Sequence, residues 1–301
     1  MGAGASYFLI RDGTLRAFYA RSGAESLASE MFWGEERAIP FVERLPEVKE
    51  RSLLDAEAGG VIDIDHNLLL LFGGPVQPDI PLRRLYVRLA LVGWFGWEVR
   101  WALAGRRDLI SYLDLPPDVA APAPPEVGAG SKKSDQDDPL QLRTRRDFVD
   151  TVVSVCLRSG SLRLYPICLP AIKTPVPVSR LLAAANARPS PSRLFWTDLT
   201  DKFPTGGLHL DEGKQRGIWW AADTRHPICR VSGTPGWTVE KFGDRFETQV
   251  GETGGALHLP QRSQAELVAK LRGILQLGRS DLLHGHEKRV FGDALEAAGV
   301  R

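Results

Sequence analysis

The pattern of apolar and polar positions turns on one stretch, Gly59 to Phe72. An arm containing Val61, Ile62, Asp63 and Ile64 runs into a polar turn at Asp65-His66-Asn67, and an apolar arm, Leu68 to Phe72, follows. Strand-sized arms around a turn of this composition predict a β-hairpin. A fainter version stands downstream from Gly206 to Trp220, with Gly206-Gly207-Leu208-His209-Leu210-Asp211 as its first arm.

Other elements take their places around these two hairpins. Tyr7 to Tyr19 holds Asp12-Gly13 between aromatic and branched residues, the signal for a tight turn that needs positive φ angles. Ala38, Phe41, Val42 and Leu45 fall at helical spacing, with Pro40 expected in the first turn, and a loop containing Trp33-Gly34 precedes them. Leu82, Leu85, Leu89 and Val92 form one face of a second helix, Trp97 to Trp101 alternates as a strand, and Asp108 to Leu115 reads as a short helix or turn. Proline, glycine and mixed charge then accumulate over 117–146, a composition that buries too little apolar surface to offset its ordering entropy.

Beyond that linker the pattern restarts. Val152 to Tyr165 carries Ser159-Gly160 where the first half carries Asp12-Gly13, and Pro177 to Ala185 gives a helix with Val178, Leu181 and Leu182 inward. The spacing from turn glycine to hairpin glycine is the same in both halves, Gly13 to Gly59 and Gly160 to Gly206, and a Gly-Trp pair opens a later strand in each, at Trp97 and Trp237. Three landmarks in one order argue for an internal repeat. Ser263-Gln264-Ala265-Glu266 is a capping box ahead of Leu267, Leu271, Ile274 and Leu275. The expected fold is therefore α+β: two related units in tandem, each a mostly antiparallel sheet with one or two packed helices. They occupy 1–116 and 147–280, with a tail helix in 281–301.

Composition narrows the classes of function. A formal net charge of +1 gives no bulk field toward nucleic acid, and no apolar run approaches the ~20 residues of a membrane span. The N-terminus lacks the features of a secretory signal, although Gly2 and Ser6 fit the loose myristoylation pattern. Cys156, Cys168 and Cys229 form no C-x-x-C pair, which argues for a reducing, cytoplasmic setting and against a disulfide framework or zinc ribbon. Nucleophile elbow, Walker loop, dinucleotide fingerprint and H-E-x-x-H are all missing, and no cofactor or metal is expected.

Candidate chemistry rests on Asp63, Asp65 and His66. Two carboxylates two residues apart share a strand face, and with an imidazole they can bind a divalent cation or act as acid and base. The same residues equally suit the solvent edge of an amphipathic hairpin. His209, Asp211 and Glu212 stand near the corresponding place in the second half. Arg83, Arg84 and Arg88 with Arg106 and Arg107, and separately Arg143, Arg145 and Arg146, are cationic clusters; His284 and His286 form a weak pair near the end. Trp94, Trp97 and Trp101 crowd one segment and Trp219 and Trp220 another. They suit core packing or an aromatic surface, with Arg84 and Arg88, for docking a partner. The reading is a non-catalytic cytosolic binding or accessory protein, of the neutralising-partner or regulatory-adaptor type, whose partner is another protein. A metal-dependent hydrolase using Asp63, Asp65 and His66 is the alternative. The sequence leaves the oligomeric state open.

Overall fold

The computed structural model describes residues 3–48, 56–116, 140, 149–167, 177–222, 235–276, 285–297 and 299. The chain forms two compact units. The first comprises Met1–Gln77, Pro81–Val127 and Arg262–Arg301; the second comprises Pro78–Ile80 and Gly128–Gln261.

The first unit opens with β1 (Ala5–Arg11) and β2 (Thr14–Ala20), paired antiparallel. Asp12 and Gly13 join them with φ of 53° and 68°, the primed turn that the Asp-Gly signal requires. Helices α1 (Gly23–Met31) and α2 (Glu35–Glu43) follow, and Pro40 lies inside α2 rather than in its first turn. The hairpin β3 (Ala58–Asp63) and β4 (Leu68–Phe72), helix α3 (Ile80–Gly93), strand β5 (Glu98–Trp101) and helix α4 (Arg106–Tyr112) complete the order. The sheet runs β2-β1-β3-β4-β5. Helices cover both of its faces, which explains the continuous apolar run in β4. Leu69 and Leu71 join the large core with α1 and α3, while Leu68, Leu70 and Phe72 pack in a second cluster with Leu109 of α4.

The second unit contains β6 (Thr151–Cys156), β7 (Leu162–Ile167), α5 (Val178–Ala187), β8 (Leu194–Phe195), β9 (Gly206–Asp211), β10 (Arg216–Ala221), β11 (Thr238–Lys241), α6 (Glu247–Glu252) and β12 (Leu257–His258). Its main sheet runs β7-β6-β9-β10-β11, and β8 pairs with β12 separately.

Both five-stranded sheets have the same order and directions. β1 against β2 and β6 against β7 are antiparallel; β1 against β3 and β6 against β9 are parallel. The later hairpins are antiparallel and the last pairs, β4 with β5 and β10 with β11, are parallel. The sheets are thus mixed, which corrects the mostly antiparallel expectation. Turn chemistry marks adjacent antiparallel strands in the sequence, whereas the parallel pairs are set by long crossovers. Register also departs from the equal glycine spacing. Gly59 lies beside Ser6 and Phe72, and the residue between the corresponding neighbours, Val152 and Trp220, is Gly207, one place beyond Gly206.

The end of the chain returns to the first unit. Helices α7 (Gln264–Gln276) and α8 (Gly285–Ala297) contribute Leu271, Ile274, Leu275, Phe291 and Ala294 to its large core. Glu287 is 3% exposed and pairs with Arg37 at 3.0 Å. The pattern of the sequence instead carries the second unit to residue 280 and sets the tail apart. The capping box forms as expected: the Ser263 backbone N–H donates to Glu266 at 2.7 Å, and the Glu266 N–H donates to the Ser263 hydroxyl at 3.2 Å. Of the linker over 117–146, Leu140 alone is among the described residues, and it is buried in the second unit. No helix among the described residues is long and apolar enough to cross a membrane.

Candidate functional site

Asp63 closes β3 and is 2% exposed. One carboxylate oxygen accepts the His66 backbone N–H at 3.0 Å; the other accepts the Tyr112 hydroxyl at 2.5 Å and lies 3.0 Å from His66 Nδ1. Burial acts to raise its pKa, but the Tyr112 and His66 hydrogen bonds outweigh it and hold the group below the ordinary carboxylate value. Burial, then the bond to Asp63, pushes the Tyr112 phenol up.

Asp65 sits in the turn and does not share Asp63's partners. Its two oxygens accept the backbone N–H groups of Asp12 and Gly13, at 2.8 and 2.7 Å. The carboxylate ties the β3–β4 turn to the β1–β2 turn, which lie side by side because β1 and β3 are parallel. Glu212 does the same in the second unit, accepting the Arg158 N–H at 2.8 Å. Asp63 and Asp65 therefore serve different turns. Among the described residues no three His, Cys, Asp or Glu side chains gather as a metal site.

The tryptophans are mainly structural. Trp94 is fully buried, its indole N–H donates to the Met31 carbonyl at 2.7 Å, and its ring meets Trp97 edge-on at 4.8 Å. Trp97 is 8% exposed, and Trp220 is fully buried. Half-buried Trp101 donates to Gln77 Oε1 at 2.6 Å. These side chains hold their units together, so an aromatic surface made of Trp94, Trp97 and Trp220 does not form. Trp219 is half-buried, with the Lys241 ammonium 5.6 Å from its ring centroid.

The arginine patch is divided too. Arg83 is buried, donates to the Gln77 carbonyl at 3.0 Å and stands over Trp101. Arg84 is half-buried and Arg88 exposed, while Arg106 donates to the Ala56 carbonyl at 2.8 Å. Cys168, Cys229, Arg143, Arg145, Arg146 and His284 fall outside the described residues, as does the His286 side chain.

Two features escape the sequence reading. The first is Phe95, 91% exposed between the two buried tryptophans. The Trp97 N–H donates to the Trp94 carbonyl at 3.0 Å, and Gly96 takes φ of 79°, the glycine-favouring third position of a tight turn. An aromatic ring is thereby held in solvent on a turn anchored at both ends. Leu91, one helical turn earlier on α3, is 42% exposed.

The second is a buried polar network in the second unit. The Trp220 indole N–H donates to Gln249 Oε1 at 2.7 Å, so Gln249 Nε2 is the donor toward Ser154 Oγ and the Leu208 carbonyl, both at 2.9 Å. Ser154 Oγ in turn lies 2.9 Å from His209 Nδ1, a hydrogen bond whose donor is set by the imidazole tautomer. A Cβ on Gly207 would strike Gln249 and Trp220, so only glycine lets this pair lie across the strand. Burial lowers the His209 pKa. At the open end of the network Asp211 accepts from Lys214, and Arg216 pairs with Glu240 at 2.8 Å and Glu252 at 3.2 Å. Ser154 among valines was the available signal, but its partners come from remote elements.

Comparison with known proteins gives no match to a family model, a curated protein or a solved structure.

Proposed function

We propose that the chain is a non-catalytic binding or accessory protein, built from a duplicated α+β unit, whose partner is another protein. The observation that carries this reading is Phe95. An aromatic side chain 91% in solvent gains nothing for the isolated fold. Fixed on a tight turn between Trp94 and Trp97, it loses little entropy on docking, which is the economy of an interface anchor. Leu91 and Arg88 are exposed on α3, four and seven residues before it. Trp94, Trp97 and Trp101 enter this reading as the scaffold of the anchor rather than the contact. The commitment of Asp65 to two backbone N–H groups, mirrored by Glu212, gives the hairpin carboxylates a structural task and favours binding over hydrolysis. The shared strand order of the two sheets supports duplication.

The test is capture from the native cell with the full chain and with Leu91→Ala, Phe95→Ala. The full chain retains a partner protein, the double variant loses it, and stability changes by no more than about 0.5 kcal/mol per exposed site. Retention by the variant would overturn the reading. A rise in melting temperature with divalent ions, abolished in Asp63→Asn, Asp65→Asn, would put the hydrolase first.

A further inference from the structure

We infer that the first unit pairs with a second copy of itself through the outer edge of β5. This goes beyond the reading above: it is a self-association through the strand edge that follows the Phe95 turn, separate from capture of another protein. β5 is the terminal strand of its sheet. Glu98 and Ala102 donate inward, to the carbonyls of Asn67, just before β4, and Leu71 of β4. By strand alternation the backbone groups of Val99 and Trp101 face the outer edge. No backbone hydrogen bond among the described residues reaches that edge. An open edge is a template for another strand.

What selects a second copy is the sequence of the edge. Trp97-Glu98-Val99-Arg100-Trp101 is self-complementary about Val99. Antiparallel pairing centred on Val99 sets Glu98 opposite the partner copy's Arg100, and Arg100 opposite its Glu98. The same two-fold relation brings Trp97 to Trp101. Val99 is then a hydrogen-bonded pair, since its N–H and C=O are the ones turned outward. A two-fold interface requires self-complementarity of this kind. Charges on an edge ordinarily guard it against pairing. Here the two are of opposite sign, exposed on one side of the strand, and ion-paired within the chain. In the pairing they meet opposite charges across the strands, a favourable arrangement.

The test is sedimentation of the full chain at about 10 to 300 μM, where a small interface of this kind associates. The chain is expected to dimerise. E98R and R100E should each weaken the dimer about tenfold or more, because each reversal faces like charges twice across the two-fold axis. The E98R/R100E double variant should restore it. So should mixing the two single variants, which places two arginines against two glutamates. Melting curves check that each variant folds. A chain that stays monomeric, a dimer indifferent to the single reversals, or failure of both the double variant and the mixture would overturn the inference. A monomer that still captures a partner through Phe95 would do so while leaving the binding reading intact.

Discussion

The α4 face of the first sheet and the α6 face of the second are built on the same strand pairings but filled with opposite chemistry. In the first unit Phe8 lies beside Val61, and Leu109 of α4 packs on them. In the second unit the matching neighbours are Ser154 and His209, and Gln249 of α6 bonds to Ser154. Phe72 beside Gly59 becomes Trp220 beside Gly207. One scaffold thus accepts an apolar set or a polar one, provided the whole set changes together, because a single buried polar group without its partners is costly. The first unit shows a trace of this cost. The Ser6 hydroxyl is buried without a hydrogen-bond partner, at a small pocket lined by Phe8, Phe72 and Leu109.

The units also differ in self-sufficiency, and this gives the largest expected effect. Deleting residues 262–301 removes Leu271, Ile274, Leu275, Phe291 and Ala294 from the first unit's core. The first unit should unfold while the second stays folded, as limited proteolysis with near-ultraviolet circular dichroism would show. Leu271→Ala alone should cost about 2–5 kcal/mol by denaturant melts. Loss of the second unit instead would break the comparison.

A reciprocal exchange between the two faces is next. Gln249→Leu strands the Trp220 indole N–H and the Ser154 hydroxyl and should destabilise the second unit by about 2–4 kcal/mol. Leu109→Gln places an amide in an apolar cluster and should cost a similar amount, about 2–4 kcal/mol. Converting Ser154, His209, Trp220 and Gln249 together to Phe, Val, Phe and Leu should cost less than the sum of the single changes, since the four act as one set. Additive losses in chemical denaturation would mean that the network is not a unit.

The smallest effect is on pH. The folded-state pKa of His209 is lowered, by burial first, so the unfolded chain takes up a proton more readily near the ordinary value of about 6.5. Stability of the second unit therefore rises with pH through that range and falls as the pH drops below it. In the first unit Asp63 has a lowered pKa, so its contribution is present above the unfolded value of about 3.9 and is lost on further acidification. Between about pH 7.5 and 5.5 the melting temperature of the second unit should fall more than that of the first, and His209→Gln should reduce the difference. Equal shifts in both units would sink this assignment.

Local signals in the sequence carry the hairpins, the α3 face and the capping box because neighbours along the chain decide them. Asp12-Gly13 and Ser263 with Glu266 each act within a few residues. The α+β class is legible for the same reason. Helix α1 is not: Gly23 to Met31 begins with glycine, and Ser22 makes no side-chain cap hydrogen bond, so packing of Leu27 and Met31 has to hold it. Nor does α7 announce which core it joins, since its apolar face suits either unit. In the candidate site, Asp63 and Asp65 are two residues apart, as a shared face would require. The strand ends between them, and the turn sends Asp65 to the Asp12-Gly13 backbone. Phe95 escaped because the chain around it reads as buried aromatic, and it is the one ring there that the turn rotates outward.

The return of α7 and α8 bears on the order in which the molecule is made. Synthesis delivers the first sheet early, then the bulk of the second unit, and only afterwards the two helices that complete the first unit's large core. The second unit can close on itself while the first still waits with apolar surface uncovered, the condition in which nascent chains aggregate or recruit chaperones. The unit that begins first is the one that finishes last.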